Sequence, residues 1–118
     1  MPLETGTWML NENGVVGPFQ ITSVDVTGNV SGTLQGKPIV GLWNEMLQKL
    51  SFFWAFNDPG TLGPEKLYTG FLFTDSFRMP GIKGGTVFTL AGYFTAFNIP
   101  PGSIDRPTFG WYAQIGAA

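Results

Sequence analysis

Glycine and proline are scattered through this chain as punctuation, and the segments between them alternate apolar and polar residues. The chain holds seventeen glycines and nine prolines among its 118 residues. They are not gathered in one tract, which favours many short strands joined by turns over helices. Eight strands are expected: Gly6–Asn11, Pro18–Val26, Val30–Gln35, Ile39–Glu45, Lys49–Asn57, Lys66–Asp75, Gly85–Phe97 and Thr108–Ile115. Turn signals separate them, among them Asn13-Gly14, Thr27-Gly28-Asn29, Gly36-Lys37-Pro38 and Asp58-Pro59-Gly60. Asn44–Leu50 is the one helix-like stretch. It is too short to stand alone and reads as a hairpin turn.

Side-chain alternation assigns the faces. Leu50, Phe52, Trp54 and Phe56 read as inward, and Ser51, Phe53, Ala55 and Asn57 as outward. In the last strand Phe109, Trp111, Ala113 and Ile115 read as inward, and Gly110, Tyr112 and Gln114 as outward. No crossover helix is available, so neighbouring strands must pair antiparallel. Eight such strands can close as a barrel or split into a two-sheet sandwich. Their even succession favours an all-β, eight-stranded up-and-down barrel, one domain spanning residues 1–118. Only Ser76–Gly84 and Asn98–Pro107 read as longer connections.

Composition narrows the chemistry. Hydrophobic residues make up 43% of the chain, enough burial to offset chain entropy. Six Lys and Arg and a net charge of -2 argue against nucleic acid, whose binding relies on phosphate neutralisation, and against an anionic membrane surface. Cysteine and histidine are absent, so disulfides, thiolate metal sites and the commonest general base are missing. No cofactor or metal is implied. MPLETGTW lacks the basic and apolar regions of a signal peptide, and the uncharged run Gly84–Ile104 is too broken for a membrane helix. A soluble chain is expected, with no compartment indicated.

Four short motifs occur in a familiar order. Thr5-Gly6-Thr7-Trp8 opens the first strand, and Val30-Ser31-Gly32-Thr33 lies in the third. Phe52-Phe53-Trp54-Ala55-Phe56-Asn57 occupies the fifth, and Tyr68-Thr69-Gly70 the sixth. In this the chain resembles the avidin and streptavidin family of calycin-type barrels. The resemblance implies a ligand pocket inside the barrel and association of barrels into dimers or tetramers. Its pocket positions would fall on Trp8, Leu10, Leu34, Phe52, Trp54, Phe56, Tyr68 and Trp111. The departures matter. Leu10 stands where the family has Asn, Leu34 where it has Tyr, and Gly36 where it has Ser. Phe52 and Phe56 replace Trp, Tyr68 replaces another Trp, and no equivalent of the final-strand Asp is found. Each unmatched buried polar partner costs about 1–3 kcal/mol, so biotin is not expected to bind tightly.

Two readings of the interior therefore stand: an aromatic pocket for a small apolar ligand, or rings that fill the barrel. A weak, diverged biotin binder is a third. The carboxylates Glu4, Glu12, Asp25, Glu45, Asp58, Glu65, Asp75 and Asp105 occur singly and read as solvated charges, Asp25 as a solvent-facing strand residue. With no acid–base pair in the spacing, no catalytic residue is assigned and the chain reads as non-enzymatic. Gly81-Ile82-Lys83-Gly84-Gly85 lacks the context of a phosphate loop and reads as a hairpin. Asp105-Arg106-Pro107 reads as a local ion pair that stabilises little. On the outer face, Phe71, Phe73, Tyr93, Phe97 and Tyr112 would form an exposed apolar patch, which points to a homo-oligomer.

Overall fold

The computed structural model describes residues 2–12, 14–55, 65–79, 82–97 and 108–117. They form eight strands: β1 (Gly6–Glu12), β2 (Val15–Val24), β3 (Asn29–Leu34), β4 (Lys37–Asn44), β5 (Lys49–Ala55), β6 (Glu65–Met79), β7 (Ile82–Phe97) and β8 (Thr108–Ala117). Each pairs antiparallel with the next, and β8 returns to β1 through Met9–Glu12 opposite Trp111–Gln114. The result is the expected closed up-and-down barrel. Among the described residues there is no helix, so none is long and apolar enough to cross a membrane. Phe56, Gly81 and the segment from Asn98 to Pro107, with its Asp105-Arg106 pair, lie outside the described residues.

Local chemistry accounts for the turns. Gln35 and Gly36 join β3 to β4 with φ of 51° and 80°. Two successive positive values match the twist of flanking strands, and glycine adopts them without strain. The stretch from Glu45 to Gln48 is a turn, as expected from its length.

Two expectations are corrected. β2 ends at Val24, where the turn closed by the Gly28 amide on the Asp25 carbonyl begins, and its pairing with β3 shifts between Ile21 and Ser23. The extra residue flips the alternation, so that Ile21 and then Val24 turn inward while Val26 is fully exposed. Asp25 thus lies past the strand end rather than within it. It organises the β2–β3 turn: its Oδ1 accepts from the Thr27 and Asn29 amides, each at 2.9 Å, and its Oδ2 from the Asn29 side chain at 2.9 Å. Second, β6 and β7 continue past the expected connection. β5 stops pairing with β6 at Phe71, whereas β6 and β7 stay paired to Met79 opposite Ile82, with one register shift between Phe77 and Met79. Most of Ser76–Gly84 is therefore strand, including Ile82–Gly85 of the glycine-rich motif.

The core lies inside the barrel. Trp8, Leu10, Phe19, Leu34, Leu50, Phe52, Tyr68, Leu90 and Ala113 are essentially solvent-free. Trp111 is seated by an absence of side chains. Gly92 and Gly70 occupy the same register on β7 and β6, and a Cβ on Gly70 would come within 2.5 Å of the Trp111 ring. In that slot the indole N–H donates to the carbonyls of Tyr93 (3.0 Å) and Thr69 (3.2 Å). Trp8, Trp43 and Trp54 also place their N–H groups, on the Glu4 carbonyl, the Glu45 carboxylate and the Leu34 carbonyl. Buried indoles need such partners.

Candidate functional site

Phe52, Tyr68, Phe94 and Phe109 are direct cross-strand neighbours on β5, β6, β7 and β8. Strand spacing is near 4.8 Å, so inward rings at one register must stack. Their centroids are 4.4, 5.0 and 5.4 Å apart in succession. Phe19, reaching from β2, stacks on Phe52 at 4.8 Å. Trp111 meets Phe52 and Tyr68 edge-on at 5.8 and 5.7 Å. Trp8, Leu10, Leu34, Phe52, Trp54, Tyr68 and Trp111, the pocket positions expected from the sequence, are thus all inward and buried. Phe56 lies outside the described residues. Within this set the Phe52, Tyr68 and Trp111 rings are each other's neighbours.

One end of the barrel, where the β1–β2 and β3–β4 hairpins sit, holds a polar cluster among these rings. Glu12 follows Trp8 and Leu10 on the inward face of β1 and is only 6% exposed. This corrects its reading as a solvated turn charge. Its Oε2 accepts a hydrogen bond from the Tyr68 hydroxyl at 2.7 Å and pairs with the Lys66 ammonium at 3.2 Å. Lys66 lies directly opposite Trp54 in the β5–β6 register. Its Nζ sits 5.1 Å from the centroids of both Trp54 and Phe94, within reach of a cation–π attraction. Burial pushes the Tyr68 phenol pKa well above its ordinary range, and the adjacent Glu12 charge adds to this. Tyr68 is therefore a fixed donor to the carboxylate.

Sequence reasoning missed Glu12, Lys66 and Phe94 as a group. The period-two signal was present: Glu12 continues Trp8 and Leu10, and Lys66 shares the face of Tyr68. Ending the first strand at Asn11 hid the former. Proximity of residues 12 and 66 depends on closure of the barrel and could not be read from spacing.

The outer face carries the other feature. Phe71, Phe73, Tyr93 and Tyr112 are each about half exposed, as expected; the Phe97 side chain lies outside the described residues. Phe71 and Tyr112 flank Ala91 in one cross-strand row, and Phe73, Thr89, Gln114 and Met9 form the next. The first row continues on β5 to Lys49, directly opposite Phe71; Phe73, Thr89, Gln114 and Met9 carry no charge. At the opposite end from Glu12, an open cleft of about 920 Å³ is lined by Leu3, Val24, Asp25, Trp43, Glu45 and Lys49, among others.

Comparison with protein-family models, with curated proteins and with solved structures finds no match to this chain.

Proposed function

We propose that this chain is a non-enzymatic, avidin-like barrel that acts as an assembly module, two copies associating through the outer face of β6, β7 and β8. The observation that carries the reading is the exposed aromatic band of Phe71, Phe73, Tyr93 and Tyr112, with Lys49 at its β5 edge. A contiguous apolar surface of this kind favours burial against a partner. A second copy of the same band is complementary to it by symmetry, which makes a closed dimer the economical arrangement. Transmembrane barrels are also apolar outside, but their interiors are polar. Here the interior is a stack of aromatic rings, which favours a protein partner over lipid.

The same stack favours a filled core over an open apolar pocket. Phe52 already contacts Phe19, Tyr68 and Trp111, and Leu10 and Leu34 offer no polar handle to a ligand. Biotin is accordingly a poor fit.

Sedimentation velocity over a concentration series tests the proposal. A dimer or tetramer that dissociates on dilution supports it. A monomer at every concentration, or a monomer that binds lipid vesicles, overturns it.

A further inference from the structure

We infer that the Glu12 end of the barrel is a binding site for a primary alkylammonium ion, occupied in the resting protein by the side chain of Lys66. This inference concerns the interior and is independent of how barrels associate.

The argument starts from what an ammonium needs when it leaves water. It needs an anion, further polar contacts, and walls that tolerate a cation. Glu12 supplies the anion and is buried. Tyr68 spends its proton on that carboxylate over 2.7 Å and so fixes it in place. Trp54 and Phe94 supply two aromatic faces, each centred 5.1 Å from the ammonium nitrogen. These are the parts of an ammonium cage.

A purely structural plug would not require this chemistry. Replacing a buried ion pair by apolar residues of similar volume is often neutral or stabilising, and the surrounding core is otherwise apolar. Lys66 also keeps contact with solvent, its side chain being 20% exposed against 7% for Glu12. The lysine can therefore swing outward while the carboxylate stays behind. An entering amine with a short alkyl chain would take over the positions of the lysine nitrogen and its stem. Because Lys66 is tethered, it competes at a high effective concentration, and free amines bind the resting protein weakly.

The test is a chemical rescue. Lys66→Ala removes the occupant and leaves a space shaped like n-propylammonium. Adding n-propylammonium chloride to this variant is expected to raise its melting temperature and to shift the Trp54 indole N–H resonance, whereas n-propanol and sodium chloride do neither. In the Glu12→Gln/Lys66→Ala double variant the amine effect is expected to vanish. The wild-type protein should respond to the amine as well, with an affinity at least about ten-fold weaker. An equal response to n-propylammonium and n-propanol overturns the inference, and so does equal amine affinity in the wild type and Lys66→Ala. If Lys66→Ala does not fold, the wild-type titration decides. A Trp54 shift that Glu12→Gln abolishes supports the site, and no shift at about 100 mM amine rejects it.

Discussion

Tyr68 on β6 donates its hydroxyl to the Glu12 carboxylate on β1 over 2.7 Å, across 56 residues of chain and with β7 and β8 between them in the closed sheet. A hydrogen bond to a charged, buried acceptor contributes about 1.5–3 kcal/mol. Tyr68→Phe should lower stability by that amount in a denaturant titration while keeping the ring stack. The phenol is also held protonated by burial. The unfolded chain can release this proton above about pH 10 and the native barrel cannot. The protein should therefore lose stability as pH rises beyond that point. Tyr68→Phe should remove this contribution, measured as the difference between the two unfolding curves.

Lys66 and Glu12 should show strong energetic coupling. Lys66→Met leaves a buried carboxylate with Tyr68 alone and should cost about 2–3 kcal/mol, somewhat less than a fully buried pair because the lysine reaches solvent. Adding Glu12→Gln should recover most of this loss. A double-mutant cycle by urea unfolding measures the coupling, and additivity of the two changes would mean that the pair is energetically silent.

Gly70→Ala should be costly although it adds one methyl group. The new Cβ would lie 2.5 Å from the Trp111 ring, so the indole must leave its slot and its two backbone acceptors. Overpacking of this kind costs about 1–3 kcal/mol. A changed tryptophan near-ultraviolet circular dichroism signal should accompany the lower unfolding midpoint.

Asp25 makes the barrel sensitive to acid at its β2–β3 turn. Hydrogen bonds from Asn29 and Thr27 hold its carboxyl down to about 2, from an ordinary 3.8. A depressed native pKa adds stability above the unfolded value, and this is lost as pH falls from about 4 towards 2. Asp25→Ala should therefore destabilise the protein at neutral pH, and the gap to wild type should close across that window in acid unfolding measurements.

Phe71→Lys and Tyr93→Lys should shift the association equilibrium to monomer. Both side chains point outward, so the stability of the monomeric barrel should change by no more than about 0.5 kcal/mol. Light scattering gives the first quantity and denaturant unfolding the second. Variants that remain fully associated would move the interface elsewhere.

Much of the architecture was legible in the residues. Turn chemistry at Gly14, Gly28 and Gly36 and the period-two runs of β5 and β8 yielded eight strands in order, with Phe52, Trp54 and Trp111 inward and Phe71, Tyr93 and Tyr112 outward. The misreadings fell where pairing overrides pattern. The turn hydrogen bonds of Asp25 took it out of its strand, the β2 bulge changed the phase before it, and the long β6–β7 ladder consumed a stretch rich in turn residues.

What the sequence by itself determined was the local alternation, because side-chain direction in an unbulged strand follows parity along the chain. What the tertiary structure decided was which inward residues meet. Trp111 lies over Gly92 and Gly70, Phe19 stacks on Phe52, and Glu12 finds Tyr68 and Lys66, because closing the sheet brings distant strands to one axis. Burial then converts a carboxylate that reads as a solvated charge into the anchor of a polar cluster, since inside the barrel only a paired and hydrogen-bonded charge can persist.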